Sequence, residues 1–199
     1  MRPYTLVFFI SIFVNSLLSA MQSPTKTYDP KVTEKLQDKV RWLVEQGGNT
    51  HENKVKEGAA TIVTFVKQGA DPNAECNDYR VLPISWAASC GLVDIVNELL
   101  KLGANPNLQN SITLFDVIDS GSFPHETRKK MIELLLVHGA DPNKKRKVTK
   151  VYSTDPTEES PLSLAFKRQR EFCYILFEYD ADPGMLSDLQ RKFLKQKLK

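Results

Sequence analysis

One five-residue word constrains this chain more than any other feature. It reads GADPN at Gly69–Asn73, GANPN at Gly103–Asn107 and GADPN again at Gly139–Asn143. A worn copy, DADPG, stands at Asp180–Gly184. The first residues of the four copies lie 34, 36 and 41 residues apart. A period a little above about 33 residues is the signature of a stack of small helical units, none of which can bury its apolar face alone.

An apolar run precedes each copy: IVTFVKQ, IVNELLKL, MIELLLVH and FCYILFEY. Apolar residues three and four apart fall on one helical face. The glycine that follows supplies a left-handed C-cap, which residues with a Cβ resist. The proline two or three residues later cannot extend the helix, so the chain turns. The word therefore reads as a helix stop and a turn. A shorter helix precedes three of these runs, in LPISWAASCG, TLFDVIDSG and SPLSLAF. Pro83 and Pro161 suit a helix start, and Ala87, Ala88 and Ala165 let helices approach closely.

From Leu82 to Asn107 the chain resembles the ankyrin repeat without gaps; that family's pattern runs roughly TPLHLAA..G..EIV..LL..GAD.N. The resemblance covers about residues 50–184 and implies an all-α, ankyrin-repeat solenoid of stacked helix-turn-helix units with hairpin fingers. Departures are specific. Leu82 and Ser85 replace the usual threonine and histidine, which removes a brace at that helix start. Leu114 takes the proline position of the next unit, whose loop is lengthened within SFPHET. Asp180 takes the last glycine position. Residues 69–184 are assigned to the repeats, with about three recognisable units. Residues 30–68 are assigned to N-terminal capping helices, with Val32, Leu36, Val40, Leu43 and Val44 inward; the pattern leaves Trp42 open between core and surface. Residues 185–199 form a C-terminal capping helix or tail, with Leu186, Leu189, Phe193 and Leu198 at helix-like spacing.

The resemblance also implies a mode of action, binding another protein through the fingers and the concave surface of the first helices, and it names no partner. In the best-matched unit the finger is Cys76–Val81. Asp78, Tyr79, Arg80 and Val81 map onto variable contact positions, and Ser89 and Cys90 onto exposed positions late in the first helix. Tyrosine and arginine combine contact area with hydrogen bonding. A solvated turn is the competing reading of the same residues. In the third unit the finger, LQNSI, is about two residues shorter than the pattern, so a dip is expected there.

The largest departure is the insert at 144–159, KKRKVTKVYSTDPTEE. Lys144, Lys145, Arg146, Lys147 and Lys150 come first; Asp155, Glu158 and Glu159 come later. The segment reads either as a hairpin whose arms attract one another or as a structureless loop. A basic cluster can contact acidic proteins, phosphates or anionic lipid, and this one also has the form of a nuclear-localisation word. A peripheral binder of anionic lipid or nucleic acid is thus the alternative function. A net charge of +3 argues against wholesale nucleic-acid binding.

The N-terminus is set apart. Residues 1–20 carry one positive side chain, Arg2, then the apolar run Leu6–Val14, then small residues at Ser16, Ser19 and Ala20, which is the plan of a secretory signal peptide. Cleavage after Ala20 and after Ser16 both fit. An uncleaved membrane anchor and a buried helix are the other readings, and residues 21–29 are a linker. Secretion or periplasmic residence follows from the first reading, membrane contact only from the second.

Nothing in the sequence points to an enzyme or a cofactor. Three cysteines, Cys76, Cys90 and Cys173, form no CxxC pair, and a Cys76–Cys90 bond is geometrically untested by sequence. His51 falls near the N-terminal cap and His125 in the long loop. His138 falls in the last turn of a helix, where its position suits the helix dipole. No phosphate loop or nucleophile elbow appears. The expected molecule is a monomeric, non-catalytic binding module.

Overall fold

The structure, a computed structural model, describes residues 26–46, 52–76, 80–148 and 157–197. Within them the chain is helical almost throughout. Helix α1 spans Pro30–Gln46, α2 Glu52–Lys67, α3 Pro83–Ser89, α4 Val93–Lys101, α5 Leu108–Asp119 and α6 His125–Val137. After a two-stranded insert come α7 Pro161–Arg168, α8 Glu171–Glu178, a 3-10 turn at Pro183–Met185, and α9 Asp188–Lys197. Consecutive helices pair as hairpins, α1 with α2, α3 with α4, α5 with α6, and α7 with α8. The hairpins then stack in two layers, a first-helix row α1–α3–α5–α7 and a second-helix row α2–α4–α6–α8.

Packing follows the apolar periodicity. Leu36, Val40 and Leu43 of α1 are buried, with Val32 and Val44 half-buried beside them. Gly58 lets α2 meet α1: a Cβ there would lie 2.6 Å from Leu43 Cδ2. From that cap a single core continues through Ile84, Leu99, Phe115, Ile132, Leu162 and Phe172 to Leu186. Trp42 lies at the surface, with the Lys39 ammonium 4.6 Å from its ring. At the other end the tail holds a helix, α9. Leu186 is buried just before α9 begins, and Leu189 within it is 79% exposed. The side chains of Phe193 and Leu198 lie outside the described residues, as do residues 1–25, and with them the signal-peptide reading.

Each copy of the word stops its helix as anticipated. Gly69, Gly103 and Gly139 have φ of 106°, 101° and 83°, and Asp180 adopts 62° in the same place. At each stop the two amides after the helix bond back to its last turn, as with Gly103 N–H to Leu100 O (3.0 Å) and Ala104 N–H to Leu99 O (2.9 Å).

The asparagine that ends the word does something the turn reading missed. Asn73 Nδ2 donates to Gly103 O (3.1 Å), while its Oδ1 accepts from Asn105 N–H (2.7 Å). Asn107 bonds in the same way to Gly139 O (2.7 Å) and Asp141 N–H (2.8 Å), and Asn143 to Asp180 O (2.9 Å) and Asp182 N–H (2.7 Å). Each copy is thus stapled to the next by a two-pronged side-chain bond. Within each copy the third residue braces the turn, as where Asp71 Oδ1 accepts from Asn73 N–H (2.9 Å). Gly184 takes the asparagine place in the last copy, where no further word follows. At the other end two groups do the asparagine's work: Asp29 N–H donates to Gly69 O (2.8 Å), and Thr33 Oγ1 accepts from Asp71 N–H (3.0 Å). Asp29, read as linker, also caps α1 by accepting from Lys31 N–H (2.8 Å).

Candidate functional site

The ladder fixes where the loops between units depart, because each follows directly on a stapled asparagine. Three such loops are available, and the structure treats them differently.

The first is the finger after Asn73. Its base is closed by an isolated bridge in which Cys76 N–H donates to Val81 O (2.8 Å) and Val81 N–H to Cys76 O (3.2 Å). Cys76 is buried and Val81 half-buried against the core, so Val81 anchors the finger and is not an open contact. Arg80 is exposed and sits at φ 56°, an unusual conformation for a residue with a Cβ. Its guanidinium grips Glu75 with both prongs, Nε at 2.6 Å and Nη2 at 2.8 Å. The Arg80 hydrogen bond holds the Glu75 carboxyl below its ordinary range. Asp78 and Tyr79, the tip of the finger, lie outside the described residues. At the other end of α3 from the finger, Ser89 and the C-cap residue Cys90 are exposed as the resemblance implies, with Ser89 Oγ donating to Trp86 O (2.8 Å).

No finger exists in the second place. Leu108 follows Asn107 directly as the first residue of α5, so LQNSI is helix. The anticipated dip is a complete gap, since the segment between Asn107 and Thr113 is too short to project and contains no glycine or proline to break the helix.

In the third place the insert forms an antiparallel hairpin, β1 (Arg146–Val148) with β2 (Thr157–Glu159), in the register Arg146 opposite Glu159 and Lys147 opposite Glu158. The hairpin alternative therefore holds for the described arms; Lys150, Asp155 and the rest of the tip lie outside them. The basic cluster is largely consumed by the protein itself. Lys144 Nζ donates to Asn107 O (3.0 Å), Lys145 pairs with Glu158 (2.9 Å), and Arg146 pairs with Glu159 (2.9 Å). Arg146 also lies over the Phe115 ring of α5, 4.4 Å from its centroid, and ties the hairpin to the first-helix row. Lys147 is exposed on the outer face of β1. Burial pushes the Glu159 carboxyl up, but hydrogen bonds from Lys167 and Arg146 outweigh it and hold the group below its ordinary range.

Beneath the hairpin, Asp116 of α5 stands where the ankyrin pattern that the chain resembles has a histidine. Burial pushes its carboxyl up to about 6, against the pull of Arg146 and with the push of Asp119. Neither α3 nor α7 carries a histidine there. Ser85 bonds Thr113 of the next unit (2.8 Å between hydroxyl oxygens), a buried link between units that offsets the brace lost at α3. Ser163 closes a capping box with Ser160, which starts α7.

His125, His138 and the three cysteines have structural surroundings. His125 opens α6, where the sequence reading put it in a loop. Pro124 precedes it at the N-cap, and the His125 imidazole stacks on the Phe172 ring, centroids 5.0 Å apart. His138 Nδ1 lies 3.1 Å from Leu134 O at the end of α6. Cys76, Cys90 and Cys173 are free thiols; burial pushes Cys76 up to about 12 and Cys173 to about 11, far from a reactive thiolate. Among the described residues no group of three or more histidine, cysteine or acidic side chains is placed to hold a metal, and no helix is long and apolar enough to cross a membrane.

Comparison with known proteins agrees with this architecture. A stretch of 43 residues is 46% identical to part of palmitoyltransferase AKR1 of Kluyveromyces lactis, a match spanning 22% of this chain and 6% of that protein. The chain therefore corresponds to a small fraction of that relative. Residues 82–111, from the foot of the finger through α4 into α5, match the family model of the ankyrin repeat, a non-catalytic module of protein–protein interaction. The all-α stack built around those residues is that of an ankyrin-repeat solenoid.

Proposed function

We propose that the protein acts by binding another protein, without catalysis, through the finger at residues 76–81, the hairpin at 144–159 and the face of the first-helix row between them. One observation carries the reading. The asparagine ladder holds successive turns in register, so the finger and the hairpin leave one edge of the stack on braced bases with a gap between them. A surface fixed in advance loses less entropy when it docks. The acyl transfer named for the yeast relative is not carried over, since the shared segment is 6% of that protein. Engagement of Lys144, Lys145 and Arg146 inside the protein favours protein binding over lipid or nucleic acid at the insert. We place the protein outside the cytoplasm, secreted or periplasmic, on the plan of residues 1–20, and as a monomer. N-terminal sequencing of the mature chain separates cleavage from a retained anchor.

Affinity capture with mass spectrometry identifies the partner, and the pair Tyr79→Ala and Arg80→Ala tests the site. Weakened capture with an unchanged circular dichroism spectrum supports it. Capture unchanged by both substitutions removes the finger from the interface.

A further inference from the structure

Helix α1 closes one end of the stack, and its side chains divide by direction. Leu36, Val40 and Leu43 point into the core. Thr33 and Gln37 face the turn and finger that lead into the second unit: Thr33 Oγ1 accepts from Asp71 N–H (3.0 Å), and Gln37 Nε2 donates to Glu75 O (2.9 Å). At about 100° per residue, the positions opposite that pair are Lys31, Lys35, Lys39, Trp42 and Gln46. They make up the outer end of the stack, which no other described element covers. The three lysines lie one turn apart, and among the described residues none of them pairs with a carboxylate. Lys39 instead rests on Trp42, its Nζ 4.6 Å from the ring centroid. The acids of α1 gather on the neighbouring flank at Glu34, Asp38 and Glu45, and Asp38 is engaged by Arg41 (3.1 Å). A terminal unit needs a polar outer face for solubility, and lysines alone answer that need. Trp42 does not. It is 41% exposed, and among the large apolar side chains described only Val137 and Leu189 are more open.

We propose that this end of the stack seats on an anionic membrane surface, with the Trp42 indole among the headgroups and Lys31, Lys35 and Lys39 on lipid phosphates. An indole is an amphipathic plate that settles at the boundary between headgroup and hydrocarbon. Each lysine held beside it gains about fivefold in affinity from the negative surface potential. Charge complementarity carries the choice of occupant, since the face holds three cations and no acid. A second copy placed face to face would set lysine against lysine. From Lys31 to Gln46 the face runs about 22 Å along the helix, a reach that suits an extended surface better than one bound anion. The choice of lipid over nucleic acid rests on the secretory reading of residues 1–20 given above. Because α1 turns its opposite side to the second unit, the finger and the hairpin stay clear for a protein partner.

The probe is a vesicle of mixed phosphatidylglycerol and brominated phosphatidylcholine, titrated into the mature chain as N-terminal sequencing defines it. Bromine quenches a tryptophan that enters the headgroup layer. Trp42 should be quenched, while Trp86, the other tryptophan, is buried and should keep its emission. Trp42→Phe should therefore abolish the quenching. The double variant Lys31→Gln/Lys35→Gln should need about ten- to thirtyfold more lipid for half-quenching, and raised salt should weaken the wild type in the same direction. Both lysines are exposed, and far-UV circular dichroism checks that the fold persists. Four results overturn the proposal: no quenching, equal quenching by vesicles of brominated phosphatidylcholine alone, quenching that survives Trp42→Phe, or affinity indifferent to the lysine variant. Tighter binding to polyuridylate or polyglutamate than to the anionic vesicles would also overturn it, in favour of a nucleic acid or an acidic protein.

Discussion

Replacing Asn107 by alanine tests the ladder at its middle rung. The substitution removes both bonds of the staple, 2.7 Å to Gly139 O and 2.8 Å from Asp141 N–H, without opening a cavity in the core. A net hydrogen bond contributes about 0.5–1.5 kcal/mol, and the freed backbone groups lie at an edge that water can reach, so the total loss should be about 1.5–2 kcal/mol. For a chain of this size that lowers Tm by about 4–6 °C. Asn107→Asp keeps the acceptor but loses the donor and sets a carboxylate against a carbonyl, so it should fall between wild type and alanine. Asn97→Ala, on α4, should be neutral or slightly stabilising. Urea melts give the magnitude, and hydrogen exchange gives the place: Asp141 N–H should lose protection selectively. A loss below about 0.5 kcal/mol, or an unchanged exchange rate at Asp141, would refute the claim that asparagine staples the units.

Three further substitutions probe the insert and the worn copy of the word. Arg146→Ala should destabilise by about 2 kcal/mol in urea melts, because it removes the cation from Phe115 and leaves largely buried Glu159 with Lys167 as its partner; Arg146→Lys should restore part of the loss, and full restoration would sink the stacking argument. Asp116→Asn acts through pH. The folded carboxyl, raised to about 6 from 3.8, favours the protonated form, so its burden is absent below about pH 4, grows from there to about 6 and is complete above; the variant should match wild type at pH 4 and exceed it by about 1 kcal/mol at pH 8, after discount for partial exposure. An equal gap at both pH values would contradict the assignment. Asp180→Gly should stabilise by about 0.5 kcal/mol, since φ 62° suits glycine and the bond from Asn143 goes to the backbone; calorimetry showing a lower Tm would count against it.

What the sequence determined by itself was the frame of each unit: the period, the paired helices, the glycine stops, and the inward face of α1 at Leu36, Val40 and Leu43, though it read the helical LQNSI as a finger and His125 as loop. Those depend on residues a few positions apart, so one period exposes them. Tertiary structure decided the rest. Asn73 and Gly103, or Asn107 and Gly139, are partners 30 and 32 residues apart, and a turn reading could not distinguish an asparagine that merely ends a turn from one that staples the next. The charges of the insert looked available because a run of lysines carries no mark of its partners. Only folding brought Arg146 onto Phe115 and set Glu159 between Arg146 and Lys167. Backbone preference and apolar period act within a few residues, whereas hydrogen-bond partners and charge pairs are chosen by the space that packing leaves.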